Sequence, residues 1–320
     1  MSNLLDPAIL FFVFGAFAGL VRSNLEIPAP VSRFLSLYLL MALGLKGGFA
    51  LAKSGITAEV AAGLGAAVLL ALVVPLLGYF FLRRVLGGFD AVALAATYGS
   101  VSAVTFITAT QHLDHLGRPF GGHMSAAMAL MESPAIVMAV VMASLLRRRA
   151  AGGQGAAPLS LGKVLHESFT DGAQLLLLGA MLVGVITGEQ GKAVMQPFSV
   201  DLFKGMLAFF LLDMGLLAAR NFKEVAGKSG WVLAYAVVGP LLHAGLALGL
   251  CRALGIGPGD GALLMTLAAS ASYIAVPAVL RFAIPEANPS LYFGLSLGLT
   301  FPLNIVFGIP FYAQVAGVCL

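Results

Sequence analysis

Cysteine, tryptophan and charge are all scarce in this chain: 2 Cys and 1 Trp in 320 residues, with only 10% Asp, Glu, Lys and Arg. Cys251 and Cys319 lie far apart, so neither a disulfide framework nor a thiolate metal site is expected, and Cys251 reads as a packing residue at a span end. Charge this sparse, beside 60% hydrophobic residues, excludes a soluble globular domain. The basic residues are spread along the chain instead of gathering on one face, so the net charge of +4 does not point to nucleic acid. His112, Asp114 and His115 in "HLDHLGR" have no second ligand group at matching depth and read as a solvated loop; His123, His166 and His243 are isolated. The opening "MSNLLDPAIL" lacks a basic n-region and a cleavage site, so the first apolar run reads as a retained span. "GSVSA" is not a G-x-S-x-G elbow and has no His at its depth, which argues against an intramembrane serine hydrolase.

What the sequence has instead is a succession of apolar runs near 20 residues, enough for about 30 Å of hydrocarbon each. Ten spans are expected, near 8–22, 33–52, 58–82, 90–111, 123–146, 172–188, 200–219, 230–253, 260–281 and 290–315. With the N-terminus outside, the cytoplasmic loops and adjoining span ends hold Arg22, Arg33, Arg83, Arg84, Arg147, Arg148, Arg149, Lys163, Arg220, Lys223, Lys228 and Arg281, twelve of the eighteen basic residues. The positive-inside rule therefore supports ten spans with both termini outside the cytoplasm. The longest connection, basic and then Gly/Ala-rich, divides the chain into 1–149, a cytoplasmic linker 150–171, and 172–320.

The two halves resemble each other. At an offset of 170, "FDAVALAATYGSVSAV" overlies "GDGALLMTLAASASYI", so that Asp90 falls on Asp260, Ser100 on Ser270 and Ser102 on Ser272. Neighbouring spans echo this in the same order: "LGL" with "MGL", "VPLL" with "GPLL", "SPAIVM" with "FPLNIV". Five spans per copy is odd, so the repeat is inverted, and the fold expected is an all-α polytopic membrane protein of two inverted five-helix repeats.

Ser102 and Ser272 each fall at the thirteenth position of their span, so the two Ser-x-Ser pairs meet the midplane from opposite faces. Gly99 and the serines weaken the fourth span, and Pro277 suits the first turn of a restarted helix in the ninth; joints are expected near 99–103 and 269–274. Each restarted half-helix presents a partly positive N-terminus, and each first half ends in exposed carbonyls. A small anion on the N–H groups and serine hydroxyls, with Na⁺ beside it on oxygen ligands, is the solute this arrangement favours. Thr105 and Tyr273 lie just past the joints. Glu132, an intramembrane carboxylate before Pro134, and Asn304 are candidate cation ligands together with Ser100 and Ser270. Lys46 and Asp213 differ in depth by roughly 12 Å, too far for a direct ion pair. Gly15/Gly19, Gly44/Gly48, Gly245/Gly249 and Gly294/Gly298 are spaced for close helix contact.

"LGLKGG", "YGSVSAVTF", "ASASYIAVPA", "MESPAI" and "FPLNIVFG" together resemble the sodium-dependent bicarbonate transporters of the cyanobacterial type, over nearly the whole chain. The resemblance implies ten helices split between a substrate-holding core and a gate, a homotrimer in the bacterial inner membrane, and uptake of bicarbonate with Na⁺ by an elevator-like movement. It places solute binding on Gly99, Ser100, Ser102, Ser270 and Ser272 and the adjoining backbone, including Ala103 and Ala271. It also implies a PII-like regulatory protein on the cytoplasmic face, although the central loop is shorter here than in better-known members. The wider family leaves another small organic or inorganic anion as the alternative substrate.

Overall fold

The structure, a computed structural model, describes residues 7–55, 57–150, 172–225 and 228–320. Apart from its first residue, the expected linker lies outside the described residues, with Lys163 and His166. Among the described residues every regular element is helical: α1 (Pro7–Leu20), α2 (Ala29–Ser54), α3 (Ala58–Leu82), α4 (Gly88–Gly99), α5 (Ala103–His115), α6 (Met124–Ala150), α7 (Gly172–Gln196), α8 (Phe203–Val225), α9 (Gly230–Leu254), α10 (Pro258–Ala269), α11 (Ala275–Ala283) and α12 (Pro289–Cys319). Among the described residues seven stretches are long and apolar enough to cross a membrane, and one of them, Leu175–Asn221, runs from α7 into α8.

Local chemistry sets several boundaries. The Thr57 hydroxyl accepts from Val60 N at 3.3 Å to open α3, and the Asn288 carboxamide accepts from Ser290 N at 3.0 Å to open α12. The expected span end at 188 is a bend and not a stop: Gly188, at φ 52°, turns the chain while the helical pattern continues to Gln196. "HLDH" is likewise the last turn of α5, not a loop, and His112 is buried there. Within α12, Pro302 and Pro310 lack the N–H that would continue the ladder. The residue before each one, Phe301 or Ile309, instead reaches back five residues, to Ser296 O or Asn304 O, giving two π turns.

The helices pack as two groups joined through α8, which also lies against α12. In the first, α1 lies along α8 and α2 along α7. Here Gly15 and Gly19 let α1 approach Leu212, Leu216 and Ala219, and Gly44 and Gly48 let α2 approach Leu177, Ala180 and Met181. By contrast, Gly245 and Gly249 have no neighbour within 4 Å among the described residues of this chain. In the second group α3 packs on α4 and α6, and α9 and α12 pack on α10.

Polar contacts collect at the two ends. At one, Asn288 N donates to Asp90 Oδ1 at 2.7 Å, and Arg147 donates to both Glu286 carboxylate oxygens at 2.7 Å and to Ala283 O at 2.8 Å. At the other, Gly121 N donates to Asp260 Oδ1 at 2.6 Å, His123 Nε2 lies 3.3 Å from Asp260 Oδ2, and Arg118 donates to Ala313 O. Asp90 and Asp260 thus do the same work from the first turns of α4 and α10, each tying down the loop that leads into a helix of the other half, α12 or α6.

The Arg147 guanidinium holds the Glu286 carboxyl below its ordinary value of 4.5. A depressed carboxylate stabilises the fold above the ordinary value and loses that contribution as the pH falls through the folded one. The Glu286 side chain is 38% exposed, so solvent screening keeps the effect to a few tenths of a kcal/mol, roughly. Glu286→Gln is therefore expected to lower the thermal midpoint slightly at pH 7 and to converge with the parent protein toward pH 3, measured by a melting series in detergent.

Candidate functional site

Between α4 and α5, and again between α10 and α11, the chain leaves the helix and becomes extended, with ψ −178° at Ser100, 111° at Ser102 and 165° at Ser270. The two serines of each break divide the labour. The first closes the helix before it: Ser100 N donates to Ala96 O at 3.0 Å and Ser270 N to Leu267 O at 3.1 Å. The second opens the helix after it. Ser102 Oγ accepts from Thr105 N at 3.2 Å and from Thr105 Oγ1 at 2.9 Å, while Ser272 Oγ accepts from Val276 N at 3.3 Å. In each Ser-x-Ser the first serine therefore closes one helix and the second accepts from a first-turn N–H of the next, Ser102 as the N-cap of α5 and Ser272 from two residues before the Ile274 cap position of α11, which satisfies helix-end groups that an apolar surrounding leaves without water.

The breaks cross and bond to each other. Ser272 N donates to Thr97 O at 2.8 Å, and Ser102 N donates to Ser270 Oγ at 3.0 Å. Ser100, Ser102, Ala271, Ser270, Ser272, Thr105 and Tyr273 are all buried there, and Ala103 is half-buried as the first residue of α5. Tyr273 points toward α8, its hydroxyl donating to Met214 Sδ at 3.8 Å and its ring packing on Phe301 at 5.0 Å.

The crossing is not symmetric. Ser270 Oγ is fully engaged, donating to Leu267 O at 2.8 Å while accepting from Ser102 N. Its counterpart, Ser100 Oγ, is buried without a hydrogen-bond partner among the described residues. Such a hydroxyl costs about 1–3 kcal/mol, and it marks the place where a ligand with an accepting oxygen would complete the structure. The carbonyls beside it are unequally committed too. At the end of α10, Ala269 O accepts from Asn304 Nδ2 at 2.8 Å, and Asn304 Oδ1 accepts in turn from Tyr312 OH at 3.0 Å. Asn304, expected as a cation ligand, thus reaches the crossing with both ends of its carboxamide in use. Glu132 stands half-buried on α6, a helix that does not form either break.

Three contributors to the crossing escaped the sequence reading. Thr97 gives its carbonyl to Ser272. Thr300, in the first π turn of α12, pairs with Tyr98 OH at 2.5 Å and donates to Ala236 O at 2.8 Å. Pro75 is the third: a Cβ on Gly99 would stand 2.5 Å from Pro75 Cγ and 2.7 Å from Cδ, so Gly99 is required by close approach of α3 as well as by the end of α4. The signal for Pro75 was present in the matching "VPLL" and "GPLL", each a proline inside the helix before a break. Lys46, for its part, does not meet Asp213; its ammonium lies 4.0 Å from Asp114 and 4.4 Å from the Phe203 ring centre.

A sequence model described as the Na⁺-dependent bicarbonate transporter superfamily matches residues 7–317. The chain belongs to that superfamily. Among curated proteins none matches it. Membership in a superfamily of transporters and helices of this length and apolarity agree on a multi-pass membrane protein. At the crossed breaks, the Ser100 hydroxyl is buried without a hydrogen-bond partner among the described residues.

Proposed function

We propose that the chain takes up bicarbonate together with Na⁺, using the two crossed breaks as the binding site. The observation that carries this reading is the buried, unpartnered hydroxyl of Ser100 at the crossing. An anion there accepts from Ser100 and meets the N-termini of α5 and α11, each carrying about half a positive charge. The hard oxygens that suit Na⁺ come from the last turn of α4 beyond Ala96 O and Thr97 O, which accept from Ser100 N and Ser272 N; at the end of α10, Leu267 O and Ala269 O accept from side chains. Ser100, Ser102, Ser270, Ser272, Gly99 and the backbone of Ala103 and Ala271 form the anion side of this site, with Thr105 and Tyr273 at its margins. Glu132, half-buried on α6, is the carboxylate candidate for the cation.

The packing supports a two-body mechanism. The α1–α8 and α2–α7 pairs form a gate, and α3 to α6 with α9 to α12 form the core that carries the crossing, which moves past the gate between the two faces of the membrane. Exchange of helices between the halves, α1 with α8 and α2 with α7, and the equivalent duties of Asp90 and Asp260 favour ten crossings in two inverted repeats with both termini outside. A homotrimer in the bacterial inner membrane and a PII-like partner on the cytoplasmic side complete the proposal. Another small anion on the same scaffold is the second reading, favoured by how little of the site, one hydroxyl and backbone N–H groups, is particular to bicarbonate.

The test is flux into proteoliposomes. Labelled bicarbonate should enter when Na⁺ is higher outside and should not enter with a proton gradient alone. Uptake of formate, acetate or sulfate in preference to bicarbonate would transfer the proposal to that anion, and proton-driven uptake indifferent to Na⁺ would overturn the coupling.

A further inference from the structure

A cavity of about 390 Å³ lies between the two helix groups, at the end of the molecule that holds Asp114 and the 119–122 loop. One wall is α2, α7 and the turn before α8; the other is α5, the loop and the start of α6. Its charged lining is Lys46, Lys53 and Lys192 against Asp114 and Glu189. Lys192 pairs with Glu189 at 3.8 Å on the rim, and Lys46 with Asp114 at 4.0 Å. Lys53 makes no ion pair among the described residues, and the field of Lys204 also reaches Lys46 and Asp114. The cavity is therefore net positive.

We propose that this cavity is a second anion site, an antechamber in which Lys46 holds the transported anion before it descends to the serine crossing. This rests on the reading of the crossing as an anion site. Lys46 is suited to the task in three respects. Its ammonium is a compact charge on a flexible stem with three donors, and the bond to Asp114 is at the outer limit of contact, so an incoming carboxylate-like oxygen can replace it. Its side chain is 30% exposed, reachable from the cavity yet shielded enough by the Phe203 ring for its charge to act beyond a few ångströms. Finally, α5 connects the two places: Thr110 lines the cavity and Ser102 caps the same helix eight residues earlier, roughly 12 Å away at 1.5 Å per residue. A cleft lined by one sign of charge and low-dielectric walls concentrates counter-ions and raises their rate of arrival.

Two measurements test this, one of them independent of transport. Ala50 is exposed and lines the cavity. In a Cys319→Ser background, with Cys251 buried, Ala50→Cys should react several-fold faster with an anionic methanethiosulfonate than with a cationic one. Adding Lys46→Gln, which leaves two lysines against two carboxylates, should bring that ratio close to one, Lys46→Arg should keep it, and Asp114→Asn should increase it. In the flux assay Lys46→Gln should raise KM for the anion about tenfold with kcat within about twofold, and Lys46→Arg should restore KM. A labelling ratio and a KM that ignore Lys46→Gln while the parent protein transports normally would overturn the antechamber. Charge-selective labelling that follows Lys46 in a protein that fails to move bicarbonate would leave the antechamber standing and remove bicarbonate as the substrate.

Discussion

Ser100→Ala should raise KM for the transported anion by about 10- to 100-fold without lowering the thermal stability of the protein. A hydrogen bond to a charged partner contributes about 1.5–3 kcal/mol, and each 1.4 kcal/mol is a factor of ten in affinity. The unliganded fold, on the other hand, loses nothing with this hydroxyl, because Ser100 Oγ is buried without a partner. Removing it relieves a desolvated group and should leave the melting midpoint equal or slightly higher. Ser270→Ala is the instructive contrast. Its hydroxyl accepts from Ser102 N at 3.0 Å, so its loss orphans a buried N–H and should cost stability, about 1–3 kcal/mol. Measured side by side, uptake kinetics and melting curves separate the two serines: one is expected to report on the ligand, the other on the fold as well. An unchanged KM in Ser100→Ala would remove that hydroxyl from the site.

Gly99→Val should abolish uptake and destabilise the protein. Even a single Cβ there would stand 2.5 Å from Pro75 Cγ, and the pyrrolidine ring has no rotamer by which to withdraw. Overpacking of this kind costs about 1–3 kcal/mol when neighbours shift. Here the neighbour is the helix that backs the break, so α4 must be pushed away from α3. That displacement would carry Thr97 O from its 2.8 Å bond with Ser272 N and separate the two breaks. The expected outcome is a lower melting midpoint with uptake below a hundredth of the parent rate, a drop of about 2.7 kcal/mol or more in transition-state stabilisation. Gly99→Ala should be milder in both. Normal flux in Gly99→Val would show that the α3–α4 contact does not hold the crossing together.

Much of the helical plan is legible in the chain because hydrocarbon imposes strict rules: long apolar runs become helices, and interruptions in them stand out. The break in the fourth span was anticipated at 99–103 and is found at Ser100–Ser102; that in the ninth was anticipated at 269–274 and falls between Ala269 and Ala275. Extents failed where the cue was polarity alone. "HLDH" is polar enough to read as a loop, but the α5 ladder continues through it; the span expected to end at 188 runs on, and only Gly188 departs from helical geometry. Glycine spacing is met by close approach on α1 and α2 and by no neighbour among the described residues at Gly245 and Gly249, since spacing states that a surface is thin without stating what lies against it.

What the sequence by itself determined is the class of molecule, the places where its helices break and the serines at those breaks, all of which follow from local composition and backbone preference. What only the tertiary structure decided is how the equivalent serines differ. Ser100 and Ser270 occupy matching places in two similar segments, so no local rule distinguishes them. The distinction arises when the breaks cross: Ser102 N takes Ser270 Oγ, Ser272 N takes the Thr97 carbonyl in place of Ser100, and one hydroxyl is left over. A crossing of two similar but non-identical segments cannot satisfy both in the same way, and that leftover group is what makes the pair a candidate binding site.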